Sequence, residues 1–148
     1  MPIQQTVTTS FKVEILQAVH NFGPMSPDTF KIALYDAYAN IGPTTTAYST
    51  DNEISGTGYT AGGNTLVISQ SPTSGSNTQQ IPTAYVSFAN SAWPSASFTA
   101  RGALIYNSTQ GNKSVAVLDF GSDKTVANQT FTVVFPTPTA NDAVVRIS

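Results

Sequence analysis

The chain has 148 residues, no cysteine and a formal net charge of −2 at pH 7. Charged residues make up only 9% of it, against about 25% in an average soluble protein, and Ser and Thr supply much of the polarity. These values exclude disulfides and thiolate metal sites, and they give no basic surface for nucleic acid or an anionic membrane. No apolar run approaches the roughly 20 residues that span a bilayer, and no secretory signal is visible, so we expect one soluble domain.

The first nine residues show no hydrophobic periodicity. We predict that residues 1–9 form an N-terminal arm that becomes ordered on a partner. Within this arm, Pro2, Ile3 and Val7 are the expected partner contacts, because they are its apolar or turn-forming residues. Residues 10–148 are then a single folded domain.

One segment near the start has helical spacing. Ser10 is a suitable N-cap, and the segment from Phe11 to Asn21 carries an apolar stripe that Leu16 widens. Gly23 and Pro24 follow and end the helix. The sequence therefore predicts one short helix that covers an apolar surface.

Beyond Asp28 the apolar residues alternate with a period of two. The first such stretch, Phe30–Tyr35, predicts a half-buried strand. Turn-rich segments separate the later stretches, and Arg101-Gly102 indicates a bulge inside one of them. This pattern predicts an all-β domain, an antiparallel β-sandwich or jelly-roll-like fold with one short N-terminal helix. The further predicted strands are Leu66–Ser69, Ala84–Ala89, Ser97–Tyr106, Val115–Phe120, Thr130–Phe135 and Val144–Ile147. The predicted breaks are Ser71–Asn77, Asn107–Asn112, Gly121–Asp123 and Pro136–Pro138.

A glycine-rich segment could be mistaken for a phosphate-binding loop. The spacing of its glycines is not G-x-G-x-x-G. The element after it is predicted to be a strand, and not a helix whose N-terminus would hold an anion. We interpret it as a structural turn in which glycines adopt positive φ and the backbone passes closely under an aromatic ring. The residues of this turn are Gly56, Gly58, Tyr59, Gly62 and Gly63.

Other chemical motifs are weak. His20 is the only histidine, and its place near the end of the predicted helix favours a role at the helix dipole over a catalytic relay. Asp119-Phe120-Gly121 matches a kinase motif whose companion motifs are missing. Asp51, Asn52 and Glu53 offer oxygens suited to calcium, but such a pair of carboxylates is more often a solvated loop. We therefore assign no catalytic, cofactor-binding or metal-binding residue, and expect no cofactor.

Aromatic residues in turn-rich sequence suggest two alternatives. Trp93, in a predicted loop, could stack on a sugar with Tyr38, Tyr48 and Tyr59 nearby. A single tryptophan in a β domain more often fills the core or a subunit contact, which we favour.

Five segments in combination carry a family resemblance, which covers most of the chain from about Ser10 onward. Their order resembles small structural proteins in the virions of tailed bacteriophages, especially phages of cyanobacteria and other aquatic bacteria. The segments are Leu16–Phe22, Asp28–Tyr35, Glu53–Gly63, Ala100–Tyr106 and Val117–Gly121.

The resemblance implies a protein without enzymatic activity that is part of the phage particle. The expected role is capsid decoration: a cement protein on the capsid surface that binds the major capsid protein as a homo-oligomer, with a trimer favoured. The alternative is a tail component, or a carbohydrate-binding receptor module at the tail tip. We further expect that neither His20 nor an acidic side chain supports turnover of a substrate, so replacing His20, Asp119 or Asp123 should change stability or assembly at most.

Overall fold

The computed structural model describes residues 3–148 and shows the predicted all-β architecture, with two antiparallel sheets and one short helix. One sheet has five strands in the order β1-β7-β6-β2-β3, and the other has three in the order β4-β5-β8. In chain order the elements are β1 (Thr6–Val7), α1 (Thr9–Leu16), β2 (Phe30–Tyr35), β3 (Asn64–Thr65), β4 (Ile68–Ser76), β5 (Pro82–Phe88), β6 (Ser91–Asn107), β7 (Lys113–Val133) and β8 (Val145–Ile147).

The helix is shorter than predicted and begins earlier. Thr8, not Ser10, is the N-cap, and its hydroxyl accepts the backbone N–H of Phe11 at 3.4 Å. The helix ends at Leu16, and Ala18 then takes a positive φ of 60°. The predicted extension to Asn21 is therefore wrong, because a left-handed residue ends the helix before Gly23 and Pro24.

Both faces of β2 are buried, so the prediction of a half-buried strand is wrong. Ile32 and Leu34 pack in the main core between the two sheets, whereas Ala33 and Tyr35 pack in a second cluster on the opposite face of the five-stranded sheet. That second face is covered by the long segment 36–63, which connects β2 to β3. Without this cover a large apolar surface would be exposed.

The segment 3–9 lies on the domain, which corrects the prediction of an arm that awaits a partner. Ile3 is buried in the second cluster, and the backbone N–H of Gln4 donates to the carbonyl of Ile41 at 2.9 Å. Thr6 and Val7 form β1, which pairs with β7. Pro2 lies outside the described residues.

Several predicted breaks lie within strands. Trp93 is part of β6. Residues 71–76 of the predicted break belong to β4, and β7 runs through Gly121–Asp123 to Val133. At the last of these breaks the register jumps: Gly102 pairs with Asp119, and Ala100 pairs with Lys124. The extra residues bulge out of the ladder, so the polar break predicted from sequence is a bulge within one strand.

The remaining boundaries differ by a few residues. Residues 66 and 67 lie between β3 and β4, β8 begins at Val145, and the expected turn over Asn107–Asn112 joins β6 to β7. The register shift opposite Gly121–Asp123 lies between Ala100 and Gly102, so it is also the irregularity predicted at Arg101-Gly102.

Candidate functional site

The most connected polar site is centred on the carboxylate of Glu53. Its Oε1 accepts the Tyr59 hydroxyl at 2.6 Å and the backbone N–H of Gly62 at 2.7 Å, and its Oε2 accepts the Tyr48 hydroxyl at 2.7 Å. We call Tyr48, Glu53, Tyr59 and Gly62 the Glu53 cluster. Hydrogen bonds to an ionised carboxylate are among the strongest in proteins, so this cluster ties three parts of segment 36–63 together.

Further hydrogen bonds connect the Glu53 cluster to the sheet. The Tyr59 hydroxyl also accepts the backbone N–H of Leu34 on β2 at 2.9 Å, and the Tyr106 hydroxyl of β6 donates to the carbonyl of Gly62 at 2.7 Å. The rings of Tyr48 and Tyr106 stack with centroids 4.7 Å apart. The cluster therefore fixes the covering segment against the second face of the five-stranded sheet.

The environment keeps the surrounding phenols protonated. Burial, followed by the nearby negative charge of Glu53, raises the pKa of Tyr106 to about 12. Burial and the hydrogen bond to Glu53 raise the pKa of both Tyr48 and Tyr59 well above the ordinary value. Phenols of this kind are neutral near pH 7, so Tyr48 and Tyr59 can donate their hydroxyl protons to the Glu53 carboxylate.

The glycines of the predicted turn lie directly against the sheet. Gly56, Gly58, Gly62 and Gly63 all have positive φ. A Cβ atom at Gly63 would lie 1.8 Å from the carbonyl oxygen of Ile32, so only glycine fits this close approach. The next element is strand β3, which offers no helix N-terminus for a phosphate.

The oxygens considered for calcium do not converge on one point. Glu53 uses both carboxylate oxygens within its cluster, while Asp51 and Asn52 are exposed. Across residues 3–148 no group of three or more His, Asp or Glu side chains could hold a metal ion.

A second polar cluster surrounds His20, which lies outside the helix instead of at its C-terminal end. Its Nε2 is 3.1 Å from Glu14 Oε1, and its Nδ1 is 3.0 Å from Asn107 Nδ2. Asn107 also donates to Asp28 Oδ2 at 2.8 Å. We call Glu14, His20, Asp28 and Asn107 the His20 cluster. Both ring nitrogens are engaged, so neither is free to activate a hydroxyl in the arrangement described.

Trp93 is 2% exposed and packs between Tyr59 and Phe131, with ring centroids 6.2 and 6.0 Å away. A buried indole offers no face to a sugar, so the structure places Trp93 as a core residue. Its Nε1 is buried without a hydrogen-bond partner among residues 3–148. Tyr38 is 84% exposed, but the other two tyrosines of the carbohydrate hypothesis belong to the Glu53 cluster.

The remaining predicted site residues are also accounted for. Ile3 is buried and Val7 is half-buried against the main core, so neither stands free for a partner. Asp119 lies at the start of the β7 bulge, where its Oδ1 accepts the backbone N–H of Gly121 at 2.9 Å and lies 3.4 Å from Arg101 Nε. Asp123 is exposed.

Sequence reasoning missed both clusters. The sequence presents Glu53 only as a metal ligand, although its place among tyrosines in turn-rich sequence is a usable signal for a hydrogen-bonded carboxylate. The His20 cluster had no such signal, because Asn107 is 87 residues away from His20 in the chain.

Comparison of the chain with protein-family models, with curated proteins and with solved structures finds no match. Within residues 3–148 there is also no helix whose length and hydropathy would let it cross a membrane.

Proposed function

We propose that this chain is a structural protein of a tailed-phage particle, which decorates the capsid as a homo-oligomer and stabilises the head. The resemblance described above motivates the proposal. A protein that bridges capsid subunits binds only the assembled shell, so it stabilises that shell by linkage.

The observation that carries the proposal is the edge strand β4. It pairs with β5 alone among the described strands, and its nine residues include no charged side chain. Folded proteins usually protect such edges with charges, because unpaired backbone groups invite pairing with another chain. Pro72 and two register shifts give β4 only partial protection. An uncharged edge of this kind suits a protein whose task is to contact neighbours.

Exposed apolar side chains on α1 add to this support. Leu16 is 89% exposed, and Val13 is half exposed. Beside them, a cavity of about 160 Å³ between α1 and the three-stranded sheet is lined almost entirely by carbon, with Ile15, Val145 and Ile147 among its residues. Small apolar patches surrounded by hydroxyl and amide groups are typical of protein contact surfaces.

The first test is the copy number and position of the protein in intact particles. Capsid decoration requires hundreds of copies on the head, measured by quantitative gel electrophoresis and located by particle reconstruction. A few copies found only in the tail would contradict the proposal.

The second test uses a matched pair of variants. Ser74→Lys places a charge on exposed β4, and Ser122→Lys places the same charge on the exposed bulge of β7. We expect Ser74→Lys to weaken binding to emptied heads while Ser122→Lys binds like the unchanged protein. Equal binding by all three proteins would show that β4 is not the contact, and no binding by any of them would refute decoration.

A further inference from the structure

The His20 imidazole is a buried titratable group that the proposed function does not use. Its side chain is 0% exposed, and its ring packs against Phe11 with centroids 4.9 Å apart. It is bonded to Glu14 of helix α1 and to Asn107, which is the last residue of β6. The imidazole therefore joins the helix to the hairpin between β6 and β7.

The hydrogen bonds of Asn107 determine which ring nitrogen carries the proton. Asn107 Oδ1 accepts the backbone N–H groups of Thr109 and Gln110 at 3.1 and 3.2 Å. The Nδ2 group must then face His20 and Asp28, to which it donates. Because an amide NH₂ group is only a donor, His20 Nδ1 must accept, so the proton lies on Nε2 and is donated to Glu14.

Adding a second proton would place an N–H group at Nδ1, directly opposite the NH₂ group of Asn107. Two donors at 3.0 Å repel each other. Rotating the Asn107 amide would remove this conflict, but it would break the bonds to Thr109 and Gln110 as well as the bond to Asp28. The link at Asn107 therefore depends on a neutral imidazole.

The charged groups around the ring come from three elements. Glu14 of α1 contacts Nε2 and keeps that bond in either protonation state. Asp28, which precedes β2, accepts from the Asn107 amide that faces Nδ1 and from the backbone N–H of Asn21, next to His20. Lys113, the first residue of β7, lies 3.7 Å from the other oxygen of Glu14 and offsets part of its charge. The bond to Asn107 is the one that changes when the ring takes up a proton.

We propose that His20 is a pH-sensitive latch, in which the neutral imidazole holds the Asn107 amide in place and uptake of a proton at Nδ1 frees that amide from its bonds to the turn between β6 and β7. Helix α1 stays attached through the Glu14 bond, and the turn stays attached to Thr29 through the backbone N–H of Ser108, so the change is confined to the Asn107 side chain and the amides bonded to it.

Nuclear magnetic resonance on the full chain tests the latch. At pH 7.5 the ¹⁵N shifts of His20 should show the proton on Nε2. Between pH 7.5 and 5.5, protection of the Thr109 amide from exchange, corrected for intrinsic rates, should fall about fivefold, as for the loss of one hydrogen bond. The Gln110 amide, which also donates to the backbone carbonyl of Asn107, should change less. A proton on Nδ1 at pH 7.5, or unchanged protection, would overturn the proposal.

His20→Gln is the matched control, because a glutamine amide can accept from Asn107 and donate to Glu14 but does not titrate in this range. Its Thr109 and Gln110 amides should keep the same protection at both pH values. If the variant lost protection as the unchanged protein does, another group would be responsible and the latch would be refuted. If the variant does not fold, the tautomer at pH 7.5 and the pH dependence of amide protection in the unchanged protein together decide the point.

Discussion

Replacing Glu53 with alanine should destabilise the protein more than replacing any other exposed or half-exposed acidic residue with alanine. The change removes an acceptor that holds the hydroxyls of Tyr48 and Tyr59 and the backbone N–H of Gly62. These groups would be left without their partner beneath segment 36–63. The expected consequence is loosening of the segment that covers the second face of the five-stranded sheet.

The magnitude follows from the three hydrogen bonds. A hydrogen bond to a charged group contributes about 1.5–3 kcal/mol when buried. Glu53 is only half-buried, so water screens its charge and can replace part of the bonding. We therefore expect Glu53→Ala to lower the free energy of unfolding by roughly 3 kcal/mol. For a domain of this size that corresponds to a fall in Tm of roughly 6–12 °C.

Urea denaturation, followed by circular dichroism, measures this change. Glu53→Gln keeps one acceptor oxygen and should cost about half as much, because an amide donor can still bond a tyrosine hydroxyl oxygen. Asp51→Asn, in the same turn but exposed, is the control and should stay within about 0.5 kcal/mol of the unchanged protein. If Glu53→Ala costs no more than Asp51→Asn, the cluster does not hold the covering segment.

Three further outcomes follow from the structure. Gly63→Ala should prevent stable folding. Gly111 also has a positive φ, but no atom lies within 4 Å of its Cβ position, so Gly111→Ala should lower the free energy of unfolding by only about 1 kcal/mol. The denaturation midpoints of both variants test this. Deleting residues 2–8 should lower thermal stability in the isolated protein, because it removes buried Ile3, β1 and the helix N-cap; an unchanged Tm would contradict it. Absorbance at 295 nm should show Tyr106 ionising only near pH 12. Because its ordinary pKa is about 10, the stability that depends on its protonated form is complete below pH 10 and is lost as the pH rises towards 12.

The fold class could be predicted because period-two alternation reports local burial directly. The same rule failed at β2, since burial of its second face depends on segment 36–63 folding back over Ala33 and Tyr35. It also failed at Gly121–Asp123, where a glycine and polar residues form a bulge instead of a turn. Local composition indicates an interruption of pairing but does not show whether the strand resumes.

The polar clusters lay beyond local reasoning for a similar reason. The residues that determine the state of His20 come from α1, the segment before β2 and the end of β6. Only the tertiary fold brings them together, and nothing in the spacing of Glu14, Asp28 and Asn107 distinguishes them from solvated polar residues. Trp93 is the opposite case, because its size alone favoured burial.

Six of the fourteen charged residues of this chain are bonded within the two polar clusters or in ion pairs of the fold. Glu14, Asp28 and Glu53 belong to the two polar clusters, Lys113 lies beside Glu14, and Arg101 pairs with Asp119 at the β7 bulge. The exposed strand β4 has none. Contacts made by such a surface depend on apolar burial and on neutral hydrogen bonds, which salt screens little.

This distribution leads to a last prediction, which rests on the proposed decoration of the capsid. The Kd for emptied heads should change less than about threefold between 50 and 500 mM NaCl, because few ion pairs are available to be screened. Sedimentation of heads with labelled protein measures it, and Ser74→Lys, which adds a charge to β4, should show a steeper dependence. Tenfold weaker binding of the unchanged protein at high salt would mean that its remaining exposed charges, not β4 and the apolar patches, make the contact.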